Sequence, residues 1–172
     1  MLIVLGGLPG TGKTTLARRL ATRLNAVHLR IDTIEQAAVR SGLAQHPVGP
    51  VGYVVGCALA EDHLRQGLTV IAVSVSPSAV TRDSWRGAGA EARASVVKVE
   101  VLCSDEDEHR ERVATRTVDI PGLLLPDGER VRPHEYEPWN RDRIVLDTAG
   151  QYPDASLAVL LGLLGDRPAD VA

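Results

Sequence analysis

The chain begins with Leu2 to Leu5, an unbroken apolar run of the kind found in a parallel strand covered on both faces. The period then changes: from Thr14 to Leu24, Ala17, Leu20, Ala21 and Leu24 recur at helical spacing, while Arg18, Arg19 and Arg23 fall off that stripe. Val27 to Ile31 predicts a second strand ending at Asp32, and Thr33 to Arg40 a short helix stopped near Ser41-Gly42. After the link HPVGPVG, Tyr53 to Gln66 suits a helix closed by Gly67. Thr69 to Val75, TVIAVSV, is the most β-branched run and is expected at the centre of the sheet.

Ser78 to about Arg93 reads as a helix weakened by Gly87 and Gly89, and Ser95 to Leu102 as a fourth strand. Ser104 is placed to cap DEDEHRERVATR, whose acids precede its arginines as a helix dipole favours. Residues 117 to 142 hold Pro121, Pro126, Pro133 and Pro138 and form a long irregular segment. Arg143 to Leu146 is a fifth strand, followed by DTAGQYPD, a helix over Ala155 to Leu164 and a polar tail. Five strands alternating with helices imply right-handed crossovers and an α/β fold with a parallel sheet between helical layers. Ligands of such sheets bind beyond the carboxyl ends of the strands, here Gly6 to Thr14, Asp32, Ser74 to Ser76 and Cys103 to Ser104.

Length and composition narrow the class. A chain of 172 residues fits one domain over 1–172 that can bury its own core. Neither a secretory leader nor a membrane-length apolar run is evident, so the expected setting is cytoplasmic, with no membrane partner. Cys57 and Cys103 read as small hydrophobes, and the histidines lack metal-ligand spacing, so no structural metal is expected. A net charge of -3 disfavours nucleic acid as a partner. Lys13 and Lys98 are the only lysines among 19 basic residues, which sets Lys13 apart from the arginine habit of the chain.

Lys13 stands in GLPGTGKT, Gly7 to Thr14, which fits G-x-x-x-x-G-K-[ST] between a buried strand and a helix. The fixed positions would arise by chance in fewer than about 1% of chains this long. Gly7, Leu8, Pro9, Gly10, Thr11, Gly12, Lys13, Thr14 and Thr15 are therefore expected to cradle the polyphosphate of a nucleotide. In that cradle Lys13 reaches the outer phosphates and the Thr14 hydroxyl is a ligand for Mg²⁺. The loop serves kinases, ATPases and switches alike, so it does not by itself name the reaction.

The residues GGLPGTGKTTLARRLA, VHLRIDTIE, VSPSAVTRDSW, VLCSDEDEHRERVATR, YEPW and LDTAG together resemble the small P-loop kinases. More narrowly they resemble the bacterial proteins described as AAA-family ATPases or predicted kinases, and more distantly chloramphenicol phosphotransferase, zeta toxins, adenylylsulfate kinase and gluconate kinase. The resemblance implies a three-layer α/β/α P-loop NTPase fold with a five-stranded parallel sheet of nucleoside-monophosphate-kinase type. It also implies ATP and Mg²⁺, a small-molecule acceptor, and transfer of the γ-phosphoryl group to an acceptor hydroxyl. A nucleotide-binding switch or slow ATPase is the alternative, and a polynucleotide-end kinase a weaker one.

By the same resemblance Asp32 faces the acceptor, accepting a hydroxyl proton or ordering water around Mg²⁺, unless it only caps a helix. Arg112 and Arg116 are the lid arginines over the phosphates, in a lid of about 109–142, unless they merely pair with Glu108 or Glu111. Asp147 and Thr148 would meet adenine, unless DTAG is an ordinary turn. Relatives often carry an acid in the third strand and an Asn before its proline, where this chain has Val73 and Ser76. The acceptor side is expected in the loop of about 41–56, with His46, Tyr53, Ser76 and Arg82 as candidate contacts. Arg82, Trp85 and Arg86 form another candidate surface, and Tyr136 and Trp139 a packed lid flank. Monomer and homodimer are both open.

Overall fold

The computed structural model describes residues 1–123 and 136–165. Its strands are β1 (Leu2–Gly6), β2 (Val27–Arg30), β3 (Val70–Val73), β4 (Val96–Leu102) and β5 (Ile144–Asp147), paired in parallel in the order β2-β3-β1-β4-β5. Helix α1 (Lys13–Leu24) follows β1, α2 (Ile31–Arg40) and α3 (Val51–Arg65) join β2 to β3, and α4 (Ala79–Glu91) joins β3 to β4. Helix α5 (Glu106–Thr115) follows β4, and α6 (Pro153–Gly165) follows β5.

The sheet separates two apolar clusters by side-chain parity. Ile3, Leu5, Val97, Val99 and Val101 pack with Leu16 and Leu20 of α1 and Leu160 of α6. Leu2, Val4, Val70 and Ala72 point the other way, against Ile31, Ala60, Leu64 and Trp85. Burial of both faces of β1 explains why its sequence shows no alternation. Each fully buried aliphatic side chain contributes about 1.5 to 3 kcal/mol, so a polar residue within Leu2–Leu5 would be badly tolerated.

Several boundaries differ from expectation for identifiable reasons. The centre of the sheet is β1, with β3 beside it; β3 ends at Val73, and although the Ser74 amide still donates to the Leu5 carbonyl and the Val75 carbonyl still accepts from the Gly7 amide, Ser76 takes a positive φ of 50° before Pro77. Helix α2 begins at Ile31 with Arg30 as its N-cap, so Asp32 lies in the first turn and is neither a strand end nor a cap. The cap of α5 is Asp105, not Ser104: its carboxylate accepts from the Asp107 and Glu108 amides at 3.0 and 2.9 Å. Gly89, which seemed to weaken α4, is needed for close packing, since a Cβ there would lie 2.1 Å from a Val96 methyl. The expected lid of 109–142 is described except for 124–135, and the expected polar tail from 166 onward lies outside the described residues. Among the described residues no helix is long and apolar enough to cross a membrane.

Candidate active site

The β1–α1 turn is shaped by positive φ at Gly7, Gly10 and Gly12, of 143°, 84° and 85°. Two of these glycines also admit close neighbours: a Cβ on Gly7 would lie 2.1 Å from the Val101 carbonyl oxygen, and one on Gly10 would lie 2.5 Å from Val113. The loop is thus wedged between β4 and α5. Lys13 is 8% exposed and its Nζ donates to the Leu8 carbonyl at 2.6 Å. The Thr11 hydroxyl donates to the same carbonyl at 2.9 Å. Burial pushes the Lys13 ammonium down to about 7, with Asp32 working against that shift and Arg116 and Arg30 adding to it. An anion seated on the loop would restore its proton affinity, as a phosphate cradle requires.

The loop opens into a cleft of about 790 Å³. Lys13, Thr14 and Thr15 line it from α1, Asp32 and Glu35 from α2, His46 from the loop after α2, and Val73 to Val75 from the end of β3; Arg112, Arg116 and Thr148 complete it. Lys13, Thr14, Asp32, His46, Arg112, Arg116 and Thr148, expected from the sequence to serve one site, thus line one cleft. The Thr14 hydroxyl and the Asp32 carboxylate are hard oxygen donors of the sort Mg²⁺ takes. Asp32 is held by Arg30, whose Nε donates to Oδ2 at 3.1 Å. Arg30 in turn grips Asp119 at 2.8 Å, and Arg18 of α1 pairs with the same carboxylate. The hydrogen bonds from Arg30 and Arg18 hold Asp119 down to about 2.

Arg112 lines the cleft while held by the turn after β5 and by its own helix. It donates to the hydroxyl and carbonyl of Thr148, both at 2.9 Å, and pairs with Glu108 at 2.5 Å. Thr148 Oγ1 lies 3.1 Å from the Thr11 carbonyl oxygen and 3.0 Å from that of Leu102, while Glu108 accepts from the Gly150 amide at 2.8 Å. His109 binds the Pro9 carbonyl through Nε2 at 2.7 Å, an arrangement that needs the proton on Nε2. Asp147 does not line the cleft; it accepts from the Ser104 and Ala149 amides at 3.0 Å each. Helix α5, the phosphate loop and the turn after β5 are thus one bonded unit.

Three proposed acceptor contacts fall elsewhere. Tyr53 accepts the Ser76 amide at 3.1 Å, Ser76 is fully buried with its hydroxyl 2.7 Å from that of Ser74, and only Ser74 lines the cleft. Burial raises the Tyr53 phenol above its ordinary range. Arg82 and Trp85 are 4% and 0% exposed, so the expected Arg82–Trp85–Arg86 surface does not form. Arg82 donates to the Glu137 carbonyl at 2.7 Å and stacks on Trp139 with 4.8 Å to the ring centroid. Arg143 approaches the same ring, and the Trp139 indole donates to the Tyr136 hydroxyl at 2.7 Å. YEPW is therefore a clamp that fixes residues 136–139 onto α4 and the sheet.

Sequence reasoning missed Glu35, Arg30 and Asp119. Glu35 had a usable signal, being one helical turn from Asp32 and so on the same face. Asp119 meets Arg30 across 89 positions, for which no local pattern exists. Burial and the neighbouring Asp32 raise Glu35 to about 7.

The fold defined by this sheet order, the glycine loop and the helices on both faces is the three-layer α/β/α P-loop NTPase fold. A family model described as an AAA domain matches residues 2–121, and the chain belongs to that family. No curated protein matches it. Among solved structures it is similar to a candidate kinase from Chloroflexus aurantiacus, with 22% identity, 95% of each chain covered and a TM-score of 0.73. It is also similar to the Mycobacterium tuberculosis APS kinase CysC in complex with AMPPNP and APS, at 18% identity over 96% of this chain and 97% of that one, with a TM-score of 0.68. A gluconokinase from Sinorhizobium meliloti gives 18% identity, coverage of 95% and 94%, and a TM-score of 0.62. These likenesses establish a shared fold with kinases that act on small molecules.

Proposed function

We propose that this protein is an ATP-dependent, Mg²⁺-requiring phosphotransferase acting on a hydroxyl of a small molecule. The observation that carries the proposal is one cleft lined both by the buried Lys13 of α1 and by Asp32 of α2, whose charge Lys13 feels. The loop amides and Lys13 hold the polyphosphate, Thr14 and Asp32 suit Mg²⁺ directly and through water, and the metal screens phosphate charge when bound. The likeness to APS kinase with AMPPNP and to gluconokinase supports ATP as donor and a small molecule as acceptor. The acceptor oxygen attacks the γ-phosphorus in line, its proton leaves to a carboxylate of the α2 wall, and the bond to the β,γ-bridging oxygen breaks to give ADP. Arg116, at the end of α5 and lining the same cleft, supplies positive charge for the transferring group. Arg112 holds the turn beside adenine.

A second reading, a slowly hydrolysing switch, draws on Val73, an apolar residue at the rim of the cleft where relatives often carry an acid. An acceptor-library screen for ADP release separates the two. Release that rises at least about tenfold with one acceptor class supports the transferase; release indifferent to every acceptor supports the switch. A polynucleotide acceptor would show as steeply salt-dependent oligonucleotide binding.

A further inference from the structure

Two carboxylates project from α2 into the cleft, and they are placed differently. Asp32 is engaged: Arg30 approaches its Oδ2 through both Nε and a terminal nitrogen at 3.1 Å, and Arg30 is itself anchored by Asp119. Glu35 makes no hydrogen bond or ion pair with any described residue, yet it is half-buried in the wall of the same cleft. Its position is built by α3. At Gly52, in the first turn of that helix, a Cβ would lie 2.5 Å from Glu35 Cγ and 2.6 Å from Oε1, so any larger residue would push the carboxylate aside. The charged and titratable groups that line the cleft with Glu35 are Asp32 on the same helix, Arg30, His46 of the loop, Lys13 and Arg18 of α1, Arg112 of α5, Arg116 and Asp119, while Tyr53 of α3 is near enough to feel the charge of Glu35.

We propose that Glu35 is the catalytic residue that takes the proton from the acceptor hydroxyl, while Asp32, fixed by Arg30, orders water and orients the site. The inference rests on the phosphotransferase reading and fills the place that Val73 leaves without an acid. As the acceptor oxygen bonds to the γ-phosphorus, its proton passes to a Glu35 carboxylate oxygen, the electron pair of the breaking P–O bond leaves with ADP, and Glu35 returns the proton to solvent. The raised proton affinity of Glu35 agrees with that task, since a base works best when its pKa lies near working pH.

The test compares E35Q, E35D and G52A by ATP turnover, with the acceptor pool and in water alone, where water stands in the acceptor's place. E35Q keeps the shape of the side chain, and Gly52→Ala favours helix, so both should fold. We expect E35Q to lower kcat at least about 100-fold with KM for ATP changed less than threefold, and E35D to recover part of the loss. G52A should lower kcat at least about tenfold, and the E35Q/G52A double variant should be no slower than E35Q, because both act through one group. E35Q turning over within about threefold of the parent, or losses that multiply in the double variant, would overturn the assignment. Parent turnover that no acceptor increases would instead defeat the phosphotransferase reading, and E35Q would still be judged on hydrolysis to water.

Discussion

The two walls of the cleft are built on different plans. At the glycine loop, Leu8, Pro9, Thr11, Arg112, Thr148 and Glu108 are joined by hydrogen bonds that run from the loop to α5 and the turn after β5. Across from it stands the 41–50 loop, largely exposed, with Leu43 at 87% and His46 open to solvent. One wall is preorganised for a ligand common to many enzymes, and the other leaves room for a ligand that differs among them. Charge follows the same division: Lys13 is a buried cation beside the loop, whereas α2 brings the two acids Asp32 and Glu35 to the cleft.

The largest effect should come from removing the cation of the preorganised wall. Lys13→Met is expected to lower turnover at least about 10³-fold, measured as ADP formation. The same change should stabilise the nucleotide-free protein. Unfolded Lys13 keeps its proton up to 10.5 but the folded residue only to about 7, so between those values the unfolded state binds more protons and stability rises with pH. Below about 7 the full penalty of burying the charge is present. Thermal unfolding at pH 6.5 should therefore show K13M more stable than the parent by roughly 1 to 3 kcal/mol, and the parent's rise in stability from pH 7 to 10 should be flattened in K13M. A K13M protein less stable at pH 6.5 would mean the ammonium is well compensated by the loop.

The next largest effect separates binding from architecture. Arg82 was an acceptor candidate, but its guanidinium is buried against Pro77, Ser78 and Glu137 carbonyls and the Trp139 ring. Arg82→Ala should cost about 2 to 4 kcal/mol in urea unfolding, since it strips a stacked cation and strands several carbonyls. A full-strength acceptor KM in whatever folds would complete the case. A variant of parental stability with a raised acceptor KM would move Arg82 back into the site.

What the sequence made legible follows the same division of the cleft. GLPGTGKT is local: loop shape, ammonium and hydroxyl are specified within Gly7 to Thr14, so pattern alone located the cradle. The alternating apolar runs also determined the parallel layers but not the strand order, in which β1 takes the centre with β3 beside it. Arg30, Asp119 and Arg18 come from three separated elements and meet only after folding. Arg82 misled because helical spacing predicts which residues share a face but not that residues 136–143 will cover that face.

A smaller effect tests how far the bonded unit reaches. Arg112→Ala breaks three contacts at once, two to Thr148 and one to Glu108. The turn after β5 would then keep its bonds to β4 and the loop and the bond from the Gly150 amide to Glu108, and we expect ADP affinity to fall about three- to tenfold by fluorescence titration. Acceptor KM should stay within about twofold, because Arg112 belongs to the other wall. A large drop in kcat with ADP affinity preserved would place Arg112 over the transferring phosphoryl group instead.

The smallest expected effect falls on the open wall. His46 lines the cleft from an exposed loop, so its contact with an acceptor is made at the rim and competes with water. His46→Ala should therefore raise acceptor KM only about two- to fivefold, leaving KM for ATP and kcat unchanged, which is the signature of lost uniform binding. The direction of this split matters more than its size. If KM for ATP rose as well, the loop would be closing over both substrates, and the division of the cleft into a fixed wall and a variable one would fail at the residue where it is easiest to break.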